Sequence, residues 1–150
     1  MSRSSLFGVI GVIGAIALTA SPMATRAQRA HTFTVTFEGL RNADGLVRGA
    51  LYDHAETWLD HAHPSDTCRG TISAGRARCV FRHPPSGRAA FAGMHDEDRN
   101  GDLNRDAVGI PSEGYAFSND VRPTVGPPSF ESALLAAGAT SCVVHVHYGL

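Results

Sequence analysis

Beyond residue 30 the chain never sustains a helical repeat; its apolar residues come in short runs of period two. Phe33, Val35 and Phe37 alternate with Thr32, Thr34 and Thr36. Successive side chains on a strand point to opposite faces, so this alternation describes a strand with one buried face. Asn42, Ala43, Asp44 and Gly45 then supply turn chemistry, and residues 46–52 return as a second strand. The two are predicted to pair as a hairpin. A second hairpin is predicted from residues 67–73 and 76–81 around Ala74 and Gly75, then a short strand over residues 88–94. A last hairpin is predicted from residues 133–136 and 140–148 around Ala137 and Gly138. One helical turn is expected within residues 56–59. About seven short strands separated by turn signals predict an all-β, single-domain antiparallel β-sandwich, immunoglobulin-like or transthyretin-like. Residues 95–130 read as one long loop, and a loop of that length is functional or ordered by something.

The first thirty residues have a different character. One positive charge, Arg3, precedes an apolar and glycine run over residues 6–18, and Pro22 and small residues follow. That is the order of a secretory signal peptide. The run is shorter than the roughly 20 residues that span a bilayer. Cleavage after Ala27 divides the chain into a signal peptide, 1–27, and a β-sandwich domain, 28–150. No later segment is apolar enough to cross a membrane, so the mature chain is expected in the periplasm or secreted. It keeps eleven arginines against fourteen carboxylates, a net charge of −3, and all its fixed cations are arginine. No basic patch follows a phosphate backbone, which argues against nucleic-acid partners. The expected partner is an envelope or extracellular ligand of unidentified chemistry.

An oxidising compartment permits disulfides. Cys68 and Cys79 flank a stretch with hairpin character and are the candidate pair, leaving Cys142 over. Three reduced, buried thiols are the alternative.

The segment richest in chemistry is residues 96–106. Asp96, Asp98 and Asn100 followed by Gly101 match the first half of a calcium loop. Calcium takes six to eight oxygens, and alternate residues of a tight loop turn their side chains toward one point. Asp102, Asn104 and Asp106 are further candidate donors. The bidentate carboxylate that closes an EF-hand loop is missing, because Ala107 stands there; Glu113 is the candidate replacement. The competing reading is a solvated turn whose side chains cap their own backbone. Calcium is preferred because carboxylates packed this closely repel one another unless neutralised. Magnesium retains waters and suits this set less well.

Eight histidines invite a transition-metal reading. His145 and His147 would share one strand face and could jointly hold zinc or copper; two exposed imidazoles on an edge strand is the simpler reading. His61 and His63 fall in a loop. His95 is read as a hydrogen-bond partner of a loop carboxylate. No serine sits in a nucleophile elbow. Tyr115, Phe117 and Phe130 are read either as a recognition surface or as plugs for the open end of the core.

His95-Asp96-Glu97-Asp98, Asn100-Gly101 and Leu103, then Gly109-Ile110-Pro111, Glu113-Gly114-Tyr115 and Phe117-Ser118-Asn119, then Gly126-Pro127-Pro128-Ser129-Phe130-Glu131 resemble bacterial domain-of-unknown-function family 2141. Gly39-Leu40-Arg41-Asn42 with Gly45, and Val47-Arg48 with Ala50-Leu51-Tyr52, fit the same family. The resemblance spans roughly residues 31–148. It implies an exported β-sandwich and no established activity. The chain departs from the pattern where Gly87-Arg88-Ala89-Ala90 lacks an aromatic residue, and where Asp98 and Asn104 exchange acid and amide. Three function classes follow. The first is a non-catalytic exported protein whose calcium loop organises a binding or structural surface. The second is a metal-dependent enzyme on envelope or extracellular carbohydrate, built on His95 and Asp96. The third is a structural envelope protein without metal.

Overall fold

A computed structural model describes residues 32–149; the expected signal peptide and cleavage point lie outside the described residues. Nine strands form two sheets. They are β1 (Phe33–Glu38), β2 (Leu46–Tyr52), β3 (Asp66–Gly70), β4 (Ile72–Ser73), β5 (Arg76–Phe81), β6 (Ala90–Asp96), β7 (Gly114–Phe117), β8 (Ser141–His145) and β9 (His147–Tyr148). One sheet runs β4-β5-β1-β8 and the other β3-β2-β6-β7-β9. Among the described residues there is no α-helix, only two 3-10 turns, at Ala55–Thr57 and Ser118–Asp120. No helix there is long and apolar enough to cross a membrane. The all-β sandwich expected from the alternation is the fold found.

Its connections differ from those expected. β1 and β2 do not pair: β1 lies between β5 and β8, and β2 between β3 and β6. The chain between them arches from one sheet to the other, so both strands turn their apolar faces toward one core. Alternation alone cannot separate this arch from a hairpin, since each buries every second residue. The second predicted hairpin splits at Thr71. Ile72–Ser73 pairs with Arg76–Phe81 across Ala74 and Gly75, both at positive φ. Asp66–Gly70 belongs to the other sheet. The last predicted hairpin is absent: Leu134 makes a single bridge to Ala90, β8 runs parallel to β1, and β9 pairs with β7. β7 lies within the stretch read as loop, and all four of its residues are buried, so it shows no alternation.

Phe33, Val35, Phe37, Phe81 and Val144 meet Val47, Leu51, Phe91 and Val146 in the core. Space for the rings comes from glycine. Gly49 and Gly93 are cross-strand partners, and a Cβ on Gly93 would lie 2.6 Å from the Phe37 ring and 2.8 Å from the Phe91 ring. The disulfide joins Cys68 of β3 to Cys79 of β5 and so ties one sheet to the other. Cys142 is free, and burial pushes its thiol up to about 12, too high for nucleophilic chemistry at neutral pH.

Two outcomes follow for denaturant titrations. Gly93→Ala is expected to lower stability by about 1–3 kcal/mol through overpacking, while Gly87→Ala, with open space around it, stays within about 0.5 kcal/mol. Replacing Cys68 and Cys79 together by alanine is expected to cost about 2–3 kcal/mol, the loop-closure value for so short a loop.

Candidate functional site

The acidic loop leaves the end of β6. The outward positions of that strand are Ala92, Met94 and Asp96, so Asp96 stands on the outer face of the five-stranded sheet. The loop folds back over it, and its side chain is fully buried. Arg48 reaches it from β2: its Nε donates to Asp96 Oδ2. The backbone N–H of Gly101 donates to the same oxygen at 3.2 Å. Asp96 Oδ1 is buried and has no hydrogen-bond partner.

Asp98 and Glu113 complete a cluster. Asp96, Asp98 and Glu113 each bring a carboxylate oxygen within 4.8 Å of the other two. Glu113 is buried and accepts from the backbone N–H groups of Glu97 (2.7 Å) and Asn104 (3.1 Å), which pins both arms of the loop. Asp98 is exposed; its Oδ2 accepts from the side-chain amides of Asn104 (2.8 Å) and Asn100 (3.0 Å), and its Oδ1 from the Asn100 N–H. Those donors, the Asn104 amide first, hold its carboxyl below the usual range, so it is ionised at neutral pH. Arg99 and Gly101 take positive φ to make the bend.

The remaining sequence candidates are placed less closely. Asn100 touches the cluster through Asp98, and Asn104 through Asp98 by its side chain and Glu113 by its backbone N–H. Asp102 is exposed and donates its N–H to Asn100 Oδ1. Asp106 is engaged elsewhere: its Oδ1 accepts from Val108 (3.0 Å) and Ile110 (2.9 Å), capping a small turn closed by the Arg105–Pro111 bridge. Spacing along the chain placed Asp106 with the ligands, but that local turn holds its carboxylate.

His95 is wholly buried. One ring nitrogen faces Tyr148 Oη and the other the Asp44 carbonyl, each at 2.8 Å. The carbonyl can only accept, so Nε2 carries a proton and donates it to Asp44. The loop carboxylate expected from the sequence is not a hydrogen-bond partner of His95: Glu97 Oε1 lies 3.5 Å from Nδ1, and the Glu97 carboxylate accepts from Arg41 Nε at Oε1 (2.7 Å) and from Arg41 Nη2 at Oε2 (2.8 Å). The same Arg41 lies 4.4 Å over the Tyr148 ring. Arg41 lowers the Glu97 carboxyl, chiefly by that hydrogen bond.

His145 and His147 do not share a strand face. His145 ends β8 in one sheet, and His147 begins β9 in the other. His145 Nδ1 pairs with Asp120 at 2.8 Å. Tyr115, Phe117 and Phe130 do not close the end of the sandwich either. Phe130 packs with Tyr52, Ala90, Ala133 and Trp58 in a second apolar cluster, on the outer face of the five-stranded sheet. Trp58 stands 5.3 Å from the Tyr52 ring, 6.0 Å from Phe117 and 5.9 Å from Phe130.

The family model described as "Uncharacterized protein conserved in bacteria (DUF2141)" matches residues 35–144. The chain belongs to the DUF2141 family. No curated protein and no solved structure matches it. The DUF2141 match takes in most of β1, all of β2 to β7, the acidic loop and most of β8. The site residue that sequence reasoning missed is Arg48. Its signal was a lone cation at an outward position of β2, flanked by Val47 and Gly49.

Arg48→Met would leave Asp96 buried without its counter-charge. We expect a loss of about 3 kcal/mol in a urea titration at pH 7. Arg88→Met, which removes an exposed pair with Glu131, is expected to cost less than about 1 kcal/mol.

Proposed function

We propose that this DUF2141 protein is an exported, non-catalytic β-sandwich whose acidic loop binds calcium and so orders a binding surface. The observation that carries the reading is Asp96 Oδ1, a buried carboxylate oxygen without a donor, in a cluster with Asp98 and Glu113. Three carboxylates stand there against one guanidinium, Arg48, which leaves about two negative charges for a hard dication. Asp96, Asp98 and Glu113 would hold it. Asn100 and Asn104 would add amide oxygens, since rotating an amide exchanges its donor and acceptor. Asp102 stands close by in the chain, and Asp106 has its Oδ1 engaged by its own turn.

Export rests on the apolar run over residues 6–18 and is supported by the disulfide, which persists in oxidising compartments. Periplasm and secretion are both served by that reading. The carbohydrate-enzyme reading needs His95 as a ligand or base. Both of its ring nitrogens are already engaged, by Tyr148 Oη and the Asp44 carbonyl. The metal-free structural reading draws on the hydrogen bonds among Asp98, Asn100 and Asn104, but it gives Asp96 Oδ1 no partner.

The deciding measurement is a thermal melt of residues 28–150 after chelation, then with calcium, magnesium, zinc or copper. Calcium at a hundred times its dissociation constant should add about 2.7 kcal/mol, a shift of several degrees. The shift should vanish in Asp98→Asn, Glu113→Gln. No shift with any of the four ions would leave the structural reading.

A further inference from the structure

A groove of about 580 Å³ lies on the outer face of the five-stranded sheet, within the size range of small-molecule sites. Its floor follows from the strand register. One row across the sheet is Arg69, Arg48, Met94 and Tyr115; the next is Thr67, Ala50, Ala92 and Phe117. Two residues further along β2 stands Tyr52. Small side chains therefore form the middle of a trough, guanidinium groups one end, and aromatic rings the other. Leu59 and Pro127 from neighbouring loops line it as well, with Leu103 from the acidic loop.

The charged end is unbalanced. Arg48 and Arg69 are cross-strand neighbours, an arrangement of like charges that is destabilising unless neutralised. Asp96 neutralises Arg48. Among the described residues Arg69 is exposed and has no carboxylate within ion-pair distance. Asp102, Arg105 and His61 also border the groove, and the Arg105 guanidinium donates to the Gly109 carbonyl. Of the charged side chains that line the groove, the guanidinium groups of Arg48, Arg69 and Arg105 outnumber the one carboxylate, Asp102.

We infer that this groove binds a small amphipathic anion, its carboxylate or similar headgroup on Arg69 beside Arg48 and its apolar body along Ala50 and Ala92 toward Tyr52 and Phe117. From Arg48 to Tyr52 is four residues of strand, about 13 Å, the length of a medium acyl chain or a two-ring body. The inference deepens the reading of the chain as a binding protein, and it does not need the cation: β2, β3, β6 and β7 build floor and charge without the acidic loop.

The chain's single tryptophan, Trp58, touches Tyr52 and Phe117, so its emission reports occupancy. The experiment titrates the mature chain at pH 7.5 with octanoate, 1-octanol and octyltrimethylammonium, in chelator and again in calcium. A saturable response is expected, with octanoate binding about tenfold more tightly than octanol, the worth of one charge-assisted hydrogen bond. The trimethylammonium compound should bind least. Arg69→Gln should bring octanoate down to the level of octanol without changing the melt, because that side chain is exposed. Ala92→Leu should fill the trough and abolish all three. Equal affinities for the three probes, an Arg69→Gln variant that binds octanoate as the parent does, or no saturation in either buffer would each overturn the inference. Saturation in chelator supports it even where calcium gives no thermal shift, so its fate and that of the calcium reading are separable.

Discussion

The Arg48–Asp96 pair joins two things that would otherwise be independent. Asp96 ends the strand from which the long connection departs, and Arg48 belongs to the centre of the same sheet. A carboxylate taken fully out of water is tolerable only with a counter-charge and hydrogen bonds. Arg48 supplies the first and the Gly101 N–H one of the second. Loop position, burial of Asp96 and the second, donorless oxygen are therefore one arrangement. Glu113 continues it: by accepting from Glu97 and Asn104 it fastens the far arm of the loop to the near one. The acidic cluster stands on one side of Arg48 and the trough on the other.

Behind that face the core is held by geometry rather than by bulk. Phe37 and Phe91 lie edge to face at 5.7 Å above paired glycines, so the five-stranded sheet comes close to its partner where the rings are largest. The disulfide between β3 and β5 fixes the sheets at one side. At the other, Tyr148 reaches His95, which is itself seated on the turn before β2. Gly45 in that turn abuts the Asp96 backbone so closely that a Cβ has no room, and its positive φ favours glycine. The turn thus supports the strand end that carries the candidate ligands.

How much of this the sequence discloses depends on the range of each interaction. Alternation in residues 33–37 and 76–81 marks strands because burial follows every second residue there. It is silent on pairing: β1 and β2 look like a hairpin and are an arch. β7 escapes because it is buried on both faces and only four residues long. At the site, Asp96, Asp98 and Asn100 are legible from the spacing of oxygen donors. Arg48 is harder to read, since its partner is 48 residues away and its one local signal is a cation between Val47 and Gly49. Asp106 misleads for the opposite reason: a carboxylate can satisfy its own backbone within four residues, and local closure competes with any distant role. Family membership follows from the motifs together.

The placement of β1 has a consequence for the life of the chain before it is native. Its neighbours are β5 and β8, supplied by residues 76–81 and 141–145, so the four-stranded sheet has an incomplete centre until residue 145 has been synthesised. A parallel partner that arrives more than a hundred residues after the first strand makes folding non-local and hence slow. Until then the first apolar strand lacks its parallel neighbour, and one of its two edges is unpaired.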